Sequence, residues 1–240
     1  MDRDLEMEAK LAGQTDLAGF RSMARQLLAH QVAPADVQWV VEPPAGDDYA
    51  DPAMPQASRP RNVARAATAI VPASFTRLCE FVVLNRDPDR FSLLYRLLWR
   101  LVHEPRLRND PIDADMLQAQ HMAHAVRRDI HKMKANLKMQ TVISPELGEL
   151  LVGAHDPAHH VAEAVAPWFA KRLTAPRWAI FTPERSVRSI DGRLSFGPGV
   201  PSAEMPSPAS SDGAWIDCYQ RVFGGPRTPA PGEDQPAAHA

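Results

Sequence analysis

Residues 125–138 read AVRRDIHKMKANLK. At roughly 100° per residue, Val126, Ile130, Met133 and Leu137 fall on one side of a helix, with the spacing of a face turned to a core. Arg127, His131, Lys134 and Lys138 repeat that spacing one step round. Arg128 and Lys132 lie further out, and Asp129 falls on the other flank of the apolar stripe. The stretch predicts the end of a long helix running from about Asp113 to Lys138, and with it a helical centre for the fold.

The segments on either side extend the pattern. In NRDPDRFSLLYRLLWRLVHE (85–104), Asp87 is expected to cap a helix with Pro88 at its first position. Phe91, Leu94, Tyr95, Leu98, Leu101 and Val102 form its stripe, and Leu93 and Leu97 widen it to a helix covered on more than one side. A further helix fits Ala73–Leu84, after an extended piece at Ala69–Val71. Towards the N-terminus, Thr15 or Asp16 caps a helix bearing Leu17, Phe20, Met23, Ala24, Leu27 and Leu28. Strands are expected near Ala9–Ala12 and over VQWVV (37–41).

On the C-terminal side, Ser144-Pro145-Glu146 reads as the start of a short helix through Val152, and Asp156-Pro157 as the start of one over 157–173. RWAIFTP reads as a strand. SVRSI and RLSF flank Asp191-Gly192, the dipeptide that suits a tight hairpin turn with positive φ. GAWIDCYQRVF reads as a last helix. The expected fold class is α+β: a helical centre, with short strands from the N- and C-terminal parts. The expected organisation is a disordered leader (1–8), one domain (9–223) with a Pro-rich loop at 42–62, and a disordered Pro/Gly/Ala tail (224–240).

Composition narrows the function classes. The 240 residues carry a net charge of −2, so the molecule as a whole does not advertise a polyanion ligand. The charge is uneven: residues 1–60 hold 5 basic and 10 acidic groups, and residues 86–140 hold 11 basic and 7 acidic. Cys79 and Cys218 are far apart, lie in apolar surroundings and read as reduced, packed thiols of a cytoplasmic protein. No run has the ~18 apolar residues of a membrane span, so no membrane is expected as a partner.

Few motifs carry chemistry. HDPAHH (155–160) places His155 and His159 four apart, as a zinc site on a helix requires, but Pro157 should start the helix and leave His155 outside it. No metal is therefore expected. His159 and His160 near a helix start can instead meet an anion. RDPDR (86–90) offers paired carboxylates, which a helix cap and local ion pairs explain more simply. FGPG (196–199) has neither a dinucleotide nor a P-loop pattern, and no cofactor is expected.

Taken together, RDPDRFSLLYRLLWRL, AVRRDIHKMK, the His-His segment with APWFAKR after it, WAIFTP and FGPG resemble a bacterial family associated with DNA metabolism and DNA repair, itself a domain of unknown function. The resemblance runs in order from about Gly13 to Phe223. Members are commonly encoded beside a radical-SAM protein, and in many proteobacteria the domain is fused ahead of a uracil-DNA glycosylase-like domain. The chain departs from the pattern at Asn85, where His is usual, at NLKMQ (136–140), at LLVGAHDP, at Ile190-Asp191-Gly192, where Trp-Asp-Gly is usual, and after Phe223. It reads as a divergent, shortened member, and without the glycosylase-like domain it is not expected to excise uracil alone.

The basic stripe has two readings: a solvated face whose long side chains cover the edge of the core, or a track for nucleic-acid phosphates. The second leads to an accessory protein of DNA metabolism that binds nucleic-acid backbone, that of DNA as the resemblance implies, through Arg127, Arg128, His131, Lys132, Lys134 and Lys138. Arg86, Arg90, Arg96 and Arg100 support it, and the resemblance implies a radical-SAM or uracil-DNA glycosylase-type partner. An alternative is an enzyme on a nucleic-acid or nucleotide substrate, with Asp87, Asp129, His131, His159 and His160 as its acid–base set. A third is an interaction scaffold in which the stripe meets an acidic protein and no DNA is bound.

Overall fold

The computed structural model describes residues 7–42, 71–104, 106–107, 110 and 112–224. Six helices and seven strands make an α+β fold among these residues. They fall into two compact units, one drawn from Met1–Leu137 and His155–Leu173, the other from Lys138–Ala154 and Thr174–Ala240.

The first unit opens with strand β1 (Met7–Leu11), helix α1 (Leu17–Ala29) and strand β2 (Val37–Val41), the two strands pairing in parallel from Met7–Val37 to Leu11–Val41. β1 begins inside the expected leader, at Met7. Asp16 caps α1, its side chain accepting the Gly19 N–H at 2.7 Å. Helices α2 (Ala73–Val82), α3 (Arg90–His103), α4 (Ala114–Asn136) and α5 (Ala162–Arg172) complete the unit.

The wide stripe on α3 is the centre of its core: Leu93, Leu94, Tyr95 and Leu97 are buried. Phe20, Trp39 and Phe91 meet with ring centroids 5.0–6.1 Å apart. The Tyr95 hydroxyl donates to the Val32 carbonyl at 2.7 Å, and burial pushes its pKa up to about 12. Cys79 is a free, buried thiol whose pKa burial also pushes up to about 12.

The second unit is a five-stranded sheet in the order β3 (Met139–Ser144), β4 (Gly148–Ala154), β5 (Arg177–Phe181), β6 (Arg185–Ile190), β7 (Arg193–Pro198), covered by helix α6 (Asp212–Phe223). Only β4 and β5 pair in parallel. The β6–β7 turn is the expected one: Asp191 and Gly192 take φ +50° and +80°. Trp215, Tyr219, Val222 and Phe223 of α6 pack on Val142, Leu150, Val152 and Phe181. Gly197 marks how closely they meet, since a Cβ there would stand 2.8 Å from the Phe223 ring. FGPG is thus a strand end pressed under a helix.

Four sequence expectations are corrected. Residues 144–152 form a β-turn and strand rather than a helix. Ser144 Oγ accepts the Leu147 N–H at 3.2 Å, as a helix cap would, but Gly148 then takes φ +72° and reverses the chain. α3 starts at Arg90 and not at Pro88, because Asp87 uses its carboxylate on the Asp89 N–H (2.8 Å) to close a turn first. α5 starts at Ala162 and not at 157, because residues 155–161 are held as a loop by the bonds described below. α4 ends at Asn136, where Leu137 turns extended (ψ 117°). The extended piece at Ala69–Val71, the loop at 42–62 and the tail at 224–240 lie, but for Val71, Glu42 and Gly224, outside the described residues.

Candidate nucleic-acid interface

The C-terminal half of α4 presents its two faces as its spacing requires. Val126 and Met133 are fully buried, Ile130 and Leu137 partly so, while Arg127, Arg128, His131 and Lys132 are exposed and Lys134 half-buried. Arg127 lays its guanidinium over the Phe81 ring of α2, 4.2 Å from the centroid. Lys134 holds its ammonium 5.3 Å from the Trp168 ring of α5. Among the described residues, Arg127, Arg128, Lys132 and Lys134 have no carboxylate within ion-pair distance. Lys138 does not continue the row: it lies beyond the helix end, in the second unit.

The supporting arginines are placed differently. Arg96 pairs two-pronged with Asp115 at 2.8 and 3.0 Å. Arg100 donates to Asp113 at 2.8 Å and Asp115 at 2.9 Å, and lies 3.3 Å from Glu104. Hydrogen bonds from these guanidiniums hold the Asp113 and Asp115 carboxyls below the usual carboxylate range, and the same bonds raise Arg96 and Arg100. These charges are matched within the molecule and join α3 to the start of α4. Trp99 stacks on His103 at 4.2 Å.

Arg90 is 2% exposed, which removes it from any phosphate track. It donates to the carbonyls of Val83 (3.0 Å), Asp87 (2.9 Å) and Gln14 (2.8 Å) and to the Gln14 side chain (2.7 Å). One buried guanidinium therefore ties the end of α2, the α2–α3 turn and the approach to α1.

The acid–base set divides. Asp129, 6% exposed, accepts the backbone N–H of His159 at 2.9 Å. His159 Nδ1 accepts the N–H of Arg86 at 3.3 Å, so its proton sits on Nε2 when the ring is neutral. The Arg86 guanidinium donates to Pro157 at 3.4 Å, and the His160 N–H to Leu84 at 2.9 Å. Asp87 donates its N–H to Asn85 Oδ1 at 2.9 Å, while the Asn85 amide donates to Met122 at 3.3 Å. Asn85 is thus a buried bracket between two elements.

His131 does not join this cluster. Two positions past Asp129, it lies about 160° away round the helix, on the exposed side. Burial lowers His155 and His159 below their ordinary range, partly opposed by the Asp129 charge. With their mainly backbone partners, Asp129 and His159 fasten the 155–161 loop. No group of three or more His, Cys, Asp or Glu side chains is arranged to hold a metal ion among the described residues.

The sequence reading passed over Trp168, Lys171 and Arg172. They lie on one face of α5, and their i, i+3, i+4 spacing was the available signal.

Fold and site define a class: an α+β protein of two compact units, the first carrying on a helix a row of cations without a carboxylate partner among the described residues. The chain belongs to DUF4130, a domain of unknown function, whose family model matches residues 88–224, more than half of the sequence. No curated protein and no solved structure matches it.

Proposed function

We propose that the chain binds the backbone of nucleic acid, DNA foremost, through the outer face of α4, as an accessory in DNA metabolism or repair. The observation that carries this reading is the contrast between two sets of cations. Arg96 and Arg100 are closed onto carboxylates, whereas Arg127, Arg128, Lys132 and Lys134 have none among the described residues. A phosphate chain supplies the missing counter-charge at regular steps, and Lys and Arg meet it without reading sequence.

The resemblance to a family encoded beside a radical-SAM protein or fused to a uracil-DNA glycosylase-like domain supports the repair setting and such a partner. Two free, buried thiols suit the cytoplasm, and no helix of the described residues is long and apolar enough to cross a membrane. Mobility-shift assays on labelled DNA test the reading with Arg127→Ala/Lys134→Ala. Weaker binding with a flatter salt dependence is expected; unchanged affinity and slope remove α4 from consideration. An acidic protein partner captured after nuclease treatment, with no DNA shift, favours a scaffold instead.

A further inference from the structure

We infer that the surface shared by α4 and α5 takes unpaired bases, which makes its ligand single-stranded nucleic acid. This rests on the backbone-binding reading and extends it from the phosphate to the base. Trp168 is 38% exposed, the one aromatic ring among the exposed large hydrophobic side chains of the described residues. Single exposed apolar residues are ordinary, but this indole is held in place. The buried Phe169 ring meets it edge-on, with centroids 5.0 Å apart and planes at 83°, and Pro167 fixes the backbone just before it.

Cations share its face. Lys134 reaches it from α4, and Lys171 and Arg172, both exposed, stand three and four positions on from it along α5, on the same side of the helix. The acid of that helix, Glu163, lies about 140° away round its axis, where it accepts the Thr15 hydroxyl at 3.2 Å. Asp129 is turned to the buried side of α4.

An indole beside cations matches one nucleotide, whose base has a π-face and whose phosphate has a charge. In a duplex the base faces are stacked on one another and only phosphates are offered. In a single strand the base lies on the indole while Lys134 turns to the phosphate. Stacking is tolerant of sequence, because every base has such a face.

The test compares full-length wild type, Trp168→Ala, Trp168→Phe and Arg127→Ala/Lys134→Ala by fluorescence anisotropy. The probes are a labelled oligothymidine strand and the same strand annealed to its complement. For Trp168→Ala, strand affinity should fall about tenfold with an unchanged salt slope, while duplex affinity stays within about twofold; Trp168→Phe should keep most of the strand affinity. The inference is overturned if Trp168→Ala leaves strand affinity unchanged, or lowers strand and duplex affinity together. If the cation pair still weakens both probes in that case, the backbone reading survives and only the base contact falls. A wild type that binds neither probe ends both.

Discussion

Two double substitutions remove the same formal charge and should have opposite consequences. Arg127→Ala/Lys134→Ala deletes unmatched cations; Arg96→Ala/Arg100→Ala deletes cations already paired with Asp113, Asp115 and Glu104. If Arg127, Arg128, Lys132 and Lys134 of α4 each neutralise one duplex phosphate, log affinity falls against log salt with a slope of about −3.6. Raising salt from roughly 50 to 200 mM then weakens wild-type binding about 150-fold. Removing Arg127 and Lys134 halves the slope to about −1.8 and the loss to about 12-fold.

The paired arginines should not alter the slope. Asp115 and Arg127 are twelve positions apart on α4, about 18 Å along its axis, beyond the screening length, which falls from roughly 14 Å to roughly 7 Å between about 50 and 200 mM salt. That variant should instead lose about 1–2 kcal/mol of stability, because partly exposed charge-assisted bonds are lost and Asp113 is left without its partner. Anisotropy titrations across the salt range give the slopes, and urea unfolding gives the stabilities. Equal slopes for the two variants, or a wild-type slope shallower than about −1, would refute the reasoning.

Leu97, fully buried in α3, should cost about 2–5 kcal/mol as Leu97→Ala, seen as a lower urea midpoint with an unchanged m-value. Arg90→Lys keeps the charge but loses the planar fork over four acceptors, so a destabilisation of about 2–4 kcal/mol is expected by thermal melts. Acid should loosen the 155–161 loop. His155 and His159 are held below their ordinary values when folded, so below about pH 6.5 the unfolded chain binds protons first. Their contribution is full above that pH and is lost as pH falls through the folded values. The loss of urea midpoint between about pH 7 and pH 5 should be smaller in His155→Gln/His159→Gln.

What the sequence revealed follows from where the deciding interactions lie. The Asp191-Gly192 hairpin, the Asp16 cap and the two faces of α4 depend on neighbours a few residues away, and each was legible. Ser144-Pro145 reads as a helix start because a side-chain oxygen accepting an N–H three residues on closes a turn as readily as it opens a helix; after Asp156-Pro157 the N–H three residues on, that of His159, goes to Asp129 instead. The choice was made elsewhere, by Gly148 and by Leu150 and Val152 packing under α6. The pairing of Arg96 and Arg100 was hidden for a similar reason. Glu104 sits four positions from Arg100, but Asp113 and Asp115 lie 13 to 19 residues away, on the approach to and first turn of α4, and meet the arginines only once helices pack. The cation row was visible because a helix alone creates it; the carboxylates that would or would not neutralise it were not.

One side chain has a bearing on how copies of this protein behave together. β3 is an outer strand, and Ile143 on it is 63% exposed. An open strand of that kind invites another chain to line up beside it, the first step towards aggregates. Here the outward amide of Ile143 already donates to Asp212 at 3.3 Å. An incoming strand must displace a carboxylate and bring its own carbonyl oxygen against a negative charge. The first turn of α6 thus occupies one outward-facing donor of the sheet margin with a negative charge, which raises the cost of edge-to-edge pairing at that point.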